Sequence, residues 1–310
     1  TAMVVITRVG GEGADLPTDV SKVTYTDNST EYKDFEAGEH YLQLDRTERD
    51  MLDLVCSNFD NVIVVYNGAN AMELGFINEY SQIKSAIWCP GTGQSGFEAL
   101  GEIVAGTVNP SGKTSDTFVA DLTATPTWNN FGYFKYDNMD EYAYTSNNFK
   151  TGEEETALPS FVNYVDGIYV GYRFYETAAA EGLINYDDTV VYPFGYGLSY
   201  TTFTQEMGAI SEDNGTISFD VTVTNTGDVA GKDVVEVYYK PPYTNGGIEK
   251  SSANLIEFAK TDLLQPGESQ TVTVTFSIED MASYDENNAK AYVLEKGDYV
   301  ISINSDSHTV

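Results

Sequence analysis

The chain has 310 residues, with 16 Lys and Arg against 48 Asp and Glu, and a formal net charge of −32. A surface this negative repels phosphate backbones and anionic headgroups, which excludes nucleic acid and acidic membrane surfaces as expected partners. No window approaches eighteen apolar residues and no secretory signal is recognised, so we expect no membrane-spanning segment. The length suits two ordinary domains.

Cysteine and histidine are sparse. Cys56 and Cys89 form no spacing motif for a metal or a disulfide, and we interpret both as reduced core thiols. His40 and His308 are far apart in sequence, and neither has a Cys or a carboxylate at ligand spacing. We therefore predict no metal site and interpret both histidines as surface residues.

The first 120 residues alternate between β-branched runs and helical patterns. Strands are predicted over 4–6, 61–66 and 85–88. One helix is predicted to begin at the capping-box pair Asp45 and Glu48, a second to span 71–80, and a third to span 97–105 and end at Gly106. The strands are continuously apolar rather than alternating. This pattern indicates an α/β fold with a mostly parallel sheet that is covered on both faces.

The pattern changes along the second part of the chain. Residues 121 to about 200 are rich in Tyr, Asn, Gly and Thr with little periodicity, which predicts long surface excursions and a connector. From Phe203 the residues alternate strictly, with Ile217, Phe219, Val221 and Val223 on one face and turn chemistry at 225–228 and 265–268. These short strands predict an all-β, immunoglobulin-like sandwich. We divide the chain into a partial α/β domain (1–200) and the sandwich (201–310).

One carboxylate stands out by its position. The strand over 4–6 stops at two glycines, and Glu12 lies between Gly11 and Gly13, on a loop at the end of a strand. Ligands bind at such places in open α/β sheets. A carboxyl group there can serve as a proton donor, but it can equally cap a neighbouring helix or form a salt bridge with Arg8. The residues alone leave the catalytic and the structural interpretation open.

A second motif, GxGxxG, spans Gly91 to Gly96. It follows a predicted strand and opens a helix, which is the context of dinucleotide binding. Two strands precede it, however, and the βα unit that should follow is not seen. We interpret the glycines as allowing close packing of strand on helix and predict no cofactor. A cofactor-binding α/β protein remains an alternative hypothesis.

Longer segments carry a resemblance to one family. They are 6–13 (ITRVGGEG), 38–42 (GEHYL), 106–113 (GTVNPSGK), 167–175 (GIYVGYRFY), 192–203 (YPFGYGLSYTTF), 223–231 (VTNTGDVAG) and 264–269 (LQPGES). Together they resemble the C-terminal half of glycoside hydrolase family 3 enzymes, the β-glucosidase and β-xylosidase group. The resemblance implies a partial α/β sandwich followed by a fibronectin type III-like domain.

The resemblance also implies a reaction. Glu12 matches the carboxylate that the family uses as general acid/base, and the substrate is a terminal β-linked glucoside, xyloside or oligosaccharide that is cleaved with retention. Retaining chemistry needs a second carboxylate as nucleophile. In the family this Asp lies on a (β/α)₈ barrel, which is missing here together with early strands of the α/β sandwich. The barrel is then another chain or another part of the polypeptide, and we expect the isolated chain to be inactive.

Two positions depart from the family pattern. Leu16 stands where the family often has Arg. Residues 93–97 read GQSGF where the family often reads GQEGG, so Ser95 stands in place of the Glu. Either departure could weaken sugar contacts. A non-catalytic carbohydrate-binding or scaffold protein that kept the fold is therefore the alternative function. The sequence assigns no substrate-binding residue and no cellular location, and it leaves homo-oligomerisation open.

Overall fold

A parallel sheet organises the first half of the protein. The computed structural model describes residues 1–8, 18–20, 34–130, 136–148 and 150–310. The sheet has the spatial order β1–β2–β3 and is built from β1 (Ala2–Thr7), β2 (Val62–Asn67) and β3 (Ile83–Trp88). Both pairings are parallel, with Val4 opposite Val64 and Val64 opposite Ala86. The predicted mostly parallel α/β arrangement is confirmed, but cover on both faces is not, since on β1 Val4 and Ile6 are buried while Met3 and Val5 are exposed.

Two helices accompany this sheet, α1 (Arg46–Asn58) and α2 (Phe97–Val104). α1 begins with the predicted capping box, in which the Asp45 carboxylate accepts from the Glu48 amide and Glu48 accepts from the Asp45 amide. α2 ends before Gly106, whose φ of +74° suits a residue without a Cβ. Both cysteines are free thiols; Cys56 on α1 is buried and Cys89 after β3 is half-buried. Burial raises the pKa of both thiols.

The helix predicted over 71–80 is wrong. This segment contains a single 3₁₀ turn, Gly75–Asn78, between stretches without regular structure. Its apolar side chains Met72, Leu74, Phe76 and Ile77 are all buried in the core that covers the sheet. Four buried residues within six positions do not share one face of an α-helix, so irregular chain buries them better.

Residues 107–200 contain several regular elements, more than the weak periodicity of 121–200 predicted. These elements are β4 (Phe118–Val119), α3 (Pro126–Asn130), β5 (Tyr144–Asn147), β6 (Glu154–Ala157), α4 (Tyr172–Ala180), α5 (Tyr186–Thr189) and β7 (Val190–Tyr192). β5 and β6 form a hairpin, and β7 returns to pair antiparallel with β4. The helix α4 had no counterpart among the sequence predictions.

The rest of the chain forms a β-sandwich of the fibronectin type III-like kind. Its strands are β8 (Phe203–Met207), β9 (Ser211–Asp213), β10 (Thr216–Asn225), β11 (Val234–Lys240), β12 (Asn254–Lys260), β13 (Ser269–Ser277), β14 (Ser283–Asp285), β15 (Ala291–Val293) and β16 (Val300–Asn304). One sheet has the order β13–β10–β8 with β9 also on β10, and the other has the order β12–β11–β16. The predicted inward residues of β10 are buried in the shared core. Within the described ranges no helix is both long and apolar enough to cross a bilayer.

Aromatic rings join the two halves of the protein. Tyr172, at the start of α4, stacks on Phe194 with ring centroids 4.7 Å apart and meets the ring of Tyr238 on β11 edge-on at 6.0 Å. Its hydroxyl also accepts a 2.9 Å hydrogen bond from the amide of Leu255 on β12. The three rings and this bond fix α4 against the sandwich.

The last residues of the chain add a polar contact to the same junction. Glu176 on α4 is buried and accepts from the hydroxyls of Tyr186 at 2.7 Å and Ser307 at 2.9 Å. Its other oxygen lies 2.9 Å from Nδ1 of His308, whose ring stacks on Tyr186. His308 is partly exposed, as predicted, but it also holds the two halves together.

A buried carboxyl group lies at the centre of the junction. Glu236 on β11 is only 4% exposed and accepts a 2.9 Å hydrogen bond from the Tyr238 hydroxyl. Gly195 lies directly against it, so a Cβ at position 195 would overlap the carboxylate. Burial raises the pKa of Glu236 from its ordinary 4.5 to about 7, while the Tyr238 bond and the charge of Lys113 act in the opposite direction.

This raised pKa makes stability depend on pH. The folded state keeps a proton on Glu236 that the unfolded chain loses above pH 4.5, so this contribution is lost as pH rises from about 4.5 to about 7. Over this pH range the free energy of unfolding falls by about 3 kcal/mol on account of Glu236. Gln carries no charge at either pH, so Glu236→Gln should not lose this stability. We expect its free energy of unfolding, measured in urea, to rise by about 3 kcal/mol relative to that of wild type between pH 4.5 and pH 8. The exposed Glu206→Gln on β8 is the control, and equal pH profiles for wild type and Glu236→Gln would contradict the assignment.

Candidate active site at the carboxyl edge of the parallel sheet

The predicted acid/base follows the first strand of the sheet. Glu12 and Leu16 lie outside the described residues, so the catalytic role of Glu12 stays a prediction. The structure describes Arg8, which directly follows β1 in the sequence and is the last described residue before the segment that carries Glu12. Glu12 is four residues further on in the sequence. The parallel strands all end at this edge of the sheet, where ligands bind in such folds.

Arg8 fixes the end of β1. Its side chain is 5% exposed. The guanidinium forms a bidentate pair with Glu48 at 2.6 Å and also donates to the carbonyls of Tyr41 at 2.6 Å, Gln43 at 2.5 Å and Thr7 at 2.9 Å. These acceptors match the five N–H groups of a guanidinium. A Glu12–Arg8 ion pair, the structural role considered above, is therefore not needed to satisfy this charge.

Glu48 links the strand end to a helix. The same carboxylate that pairs with Arg8 also accepts the Asp45 amide in the capping box of α1, at 3.0 Å. The N-terminus of α1, the loop over 41–43 and the end of β1 are thereby joined through one largely buried ion pair. A bidentate pair of this kind holds the Arg8 side chain in one defined geometry at the end of the strand.

His40 is not a surface residue, which corrects the interpretation from sequence. It is 2% exposed, and its Nε2 lies 3.0 Å from Glu73. Nδ1 accepts from the Leu42 amide at 3.2 Å, so the ring donates through Nε2–H when both bonds form. Glu73 accepts in addition from the Leu122 amide at 2.8 Å. The partner that buries His40 is 33 residues away in sequence, and no local pattern indicates it.

Two tryptophans stand near this edge. Trp128 on α3 is half-buried and meets the His40 ring edge-on, with centroids 4.8 Å apart. Trp88 ends β3 and donates through its indole N–H to the Gly68 carbonyl at 2.8 Å. Sequence reasoning singled out neither. A half-buried Trp beside a fixed histidine offers an aromatic wall of the kind that lines ligand sites.

The GxGxxG segment forms a turn and not a packing contact. The Gly96 amide donates to the Thr92 carbonyl at 3.1 Å, and a Cβ at Gly96 would overlap that same carbonyl. Gly93 has a φ of +63°, whereas a Cβ at Gly91 would meet nothing within 4 Å. The expected packing of strand on helix is therefore wrong, because the glycines serve their own loop. Over the described part of the chain, no group of three or more His, Cys, Asp or Glu side chains could hold a metal ion.

Comparisons with known proteins agree with this architecture. A model of the glycosyl hydrolase family 3 C-terminal domain matches residues 2–200, and a fibronectin type III-like domain matches residues 233–307. Beta-glucosidase A of Butyrivibrio fibrisolvens is 37% identical over 96% of this chain, which covers 35% of that protein. A beta-glucosidase of Ruminococcus albus is 31% identical over 99% of this chain, which covers 27% of that protein. The chain thus spans about a third of these curated relatives.

Solved structures give the same result. A beta-glucosidase from Paenibacillus barengoltzii superposes with a TM-score of 0.76 at 32% identity, over 99% of this chain and 29% of that one. Beta-glucosidase 3B from Thermotoga neapolitana, solved in complex with glucose, gives a TM-score of 0.75 at 29% identity, over 99% of this chain and 36% of that one. With the family model covering residues 2–200, the chain belongs to glycosyl hydrolase family 3, of which it contains the C-terminal α/β domain and the fibronectin type III-like domain.

Proposed function

We propose that this chain is a component of a retaining β-glycosidase that hydrolyses terminal β-linked glucosides or xylosides, and that Glu12 is its general acid/base. The observation that carries the proposal is the position of Arg8, which is anchored at the carboxyl edge of the sheet and precedes Glu12 by four residues in the sequence. The similarity to proteins named beta-glucosidases supports the same chemistry.

The reaction assigns two roles to one carboxyl group. Glu12 first donates its proton to the glycosidic oxygen as the leaving group departs, and a carboxylate nucleophile forms the glycosyl-enzyme. The ionised Glu12 then takes a proton from the water that hydrolyses this intermediate. A lone acid on this chain can perform the proton transfers but not the displacement.

The neighbouring carboxylates have other partners. Glu48 pairs with Arg8, and Glu73 accepts from His40 and from the Leu122 amide. Neither is left available for attack on a sugar. The nucleophile is accordingly expected on a (β/α)₈ barrel, and the short coverage of the relatives agrees with a missing domain of that size.

Activity measurements test this division of labour. We expect the 310-residue chain alone to leave 4-nitrophenyl β-glucoside unhydrolysed, because it lacks the nucleophile, and a longer polypeptide that adds the barrel to hydrolyse it. Turnover by the isolated chain, abolished by Glu12→Gln, would contradict the proposed location of the nucleophile. A longer polypeptide that binds the glucoside without cleaving it would instead favour the non-catalytic alternative.

A further inference from the structure

One segment of the α/β domain has regular structure but almost no buried side chains. Over 136–170 the chain forms the β5–β6 hairpin and two flanking arms, which meet where Tyr136 stacks on Phe161 with ring centroids 4.4 Å apart. Among the described residues of this segment, Met139 is the only buried one. A two-stranded hairpin by itself is at best marginally stable in water. The hairpin therefore needs more packing than the described part of the chain gives it.

Apolar side chains lie on the outside of this segment. Six large ones are more than half exposed: Tyr136, Tyr142, Tyr144, Tyr164, Val165 and Val170. The stack of Tyr136 on Phe161 brings both arms together, so these side chains belong to one region of the surface. Exposed apolar groups that cluster in this way mark interaction sites, whereas single ones are ordinary. We call these six side chains the docking surface.

The docking surface adjoins the candidate active site. The helix α3, whose Trp128 meets His40 at the carboxyl edge of the sheet, ends six residues before Tyr136 in the sequence. At the other end of the segment, the Tyr169 hydroxyl donates to the carboxylate of Glu249, in the loop between β11 and β12 of the sandwich. A partner seated on the docking surface can therefore contact both domains beside the proposed site.

Charge decides which partner fits. Residues 136–170 contain seven Asp and Glu against one Lys, within a chain whose net charge is −32. A second copy of the chain would bring the same excess of negative charge to the contact, which opposes self-association. The surface suits a different polypeptide, with an apolar centre and with Lys or Arg at its rim.

We propose that the docking surface is covered by the remaining polypeptide of the glycosidase, the barrel domain, through apolar side chains and a basic rim that faces the carboxylates of 136–170. This proposal rests on the proposed function, because it takes the barrel as the missing partner. The chain spans about a third of its curated relatives, so a polypeptide of sufficient size is available. Covering the docking surface supplies the packing that the hairpin needs.

Hydrogen exchange in two contexts tests this contact. The backbone amides of β5 and β6 should exchange about tenfold more slowly in a polypeptide that adds the barrel than in the 310-residue chain. The amides of β13, in the other sheet of the sandwich, are the internal control and should exchange equally in both. Sedimentation velocity of the 310-residue chain should show a monomer. A dimer that protects β5 and β6 would identify a second copy as the occupant and overturn the proposal.

Val165→Asp places a charge in the docking surface. In the longer polypeptide it should restore fast exchange of β5 and β6 and lower kcat/KM for 4-nitrophenyl β-glucoside about tenfold, because the barrel is displaced. In the 310-residue chain it should leave the urea midpoint unchanged, because Val165 is 66% exposed there. Leu183→Asp, at a 78% exposed position outside the docking surface, is the matched control and should behave as wild type in both contexts. Circular dichroism establishes that both variants are folded.

The docking and the glycosidase function can fail separately. Equal exchange of β5 and β6 in the two polypeptides, or equal effects of Val165→Asp and Leu183→Asp, overturns the docking even if the longer polypeptide hydrolyses the glucoside. Slower exchange of these amides without any hydrolysis supports the docking and counts against the glycosidase function.

Discussion

Replacing Glu12 with Gln, in a polypeptide that contains this chain and the barrel, should lower kcat/KM for disaccharide β-glucosides by about 10²–10⁴-fold. Gln fills nearly the same volume but cannot donate the proton that a sugar leaving group needs. A 4-nitrophenolate leaving group departs without that proton, so the first step with the aryl glucoside should be far less affected. The measurement is kcat/KM, which reports the first irreversible step, for both substrates with wild type and variant.

The same variant has a second signature. Azide needs no general base, so it should attack the glycosyl-enzyme of Glu12→Gln and raise turnover of the aryl glucoside, with a glycosyl azide of retained configuration as product. Glu102→Gln, at an exposed position on α2, is the matched control and should behave as wild type. An equal loss of kcat/KM for both substrates, without azide rescue, would show that Glu12 is not the acid/base.

Arg8→Met should destabilise the isolated chain by about 3–5 kcal/mol, because it leaves Glu48 without its cation in a largely buried place. The carbonyls of Tyr41 and Gln43 lose their donors in the same change. Met preserves most of the side-chain length, so the loss reports the charge and the hydrogen bonds rather than a cavity. Urea unfolding at pH 7 measures the difference in the free energy of unfolding.

A nearby arginine provides the control. Arg46 pairs with Asp34 at 2.9 Å, but its side chain is 59% exposed. Exposed ion pairs contribute about 0–1 kcal/mol, so Arg46→Met should unfold nearly as wild type does. If Arg8→Met matched Arg46→Met, the anchoring of the β1 end by Arg8 would be refuted.

Local signals in the sequence predicted much of this fold. The Asp45–Glu48 capping box, the end of α2 at Gly106 and the alternation along β10 each depend on residues close together in the chain, and all are confirmed. The parallel sheet follows from the same kind of signal, continuous apolar strands separated by helices, although one face of β1 is exposed at Met3 and Val5.

The failures share a different cause. His40, interpreted from sequence as a surface residue, is buried beside Glu73 and Trp128, which are distant in sequence, so no periodicity can reveal them. The burial of Glu236 against the segment around Gly195, for which the sequence made no prediction, depends on a distant partner in the same way. In the 71–80 segment, tertiary burial on several sides overrode a helical pattern. At the candidate site, Glu12 was identified from its glycines and a family resemblance. The Arg8–Glu48 pair that fixes the strand before it became visible only in three dimensions.

The contact between Gly195 and Glu236 constrains how members of this family can be recombined. The domain boundary predicted near residue 200 lies between these two positions. A recombination crossover there takes Gly195 from one parent and Glu236 from the other, although the Glu236 carboxyl group occupies the space that a side chain at position 195 would need. Shuffled chimeras should therefore retain their expression yield only when both parents carry the same pair at these positions. The compatible unit for exchange is the sandwich together with the aromatic–glycine segment that precedes it.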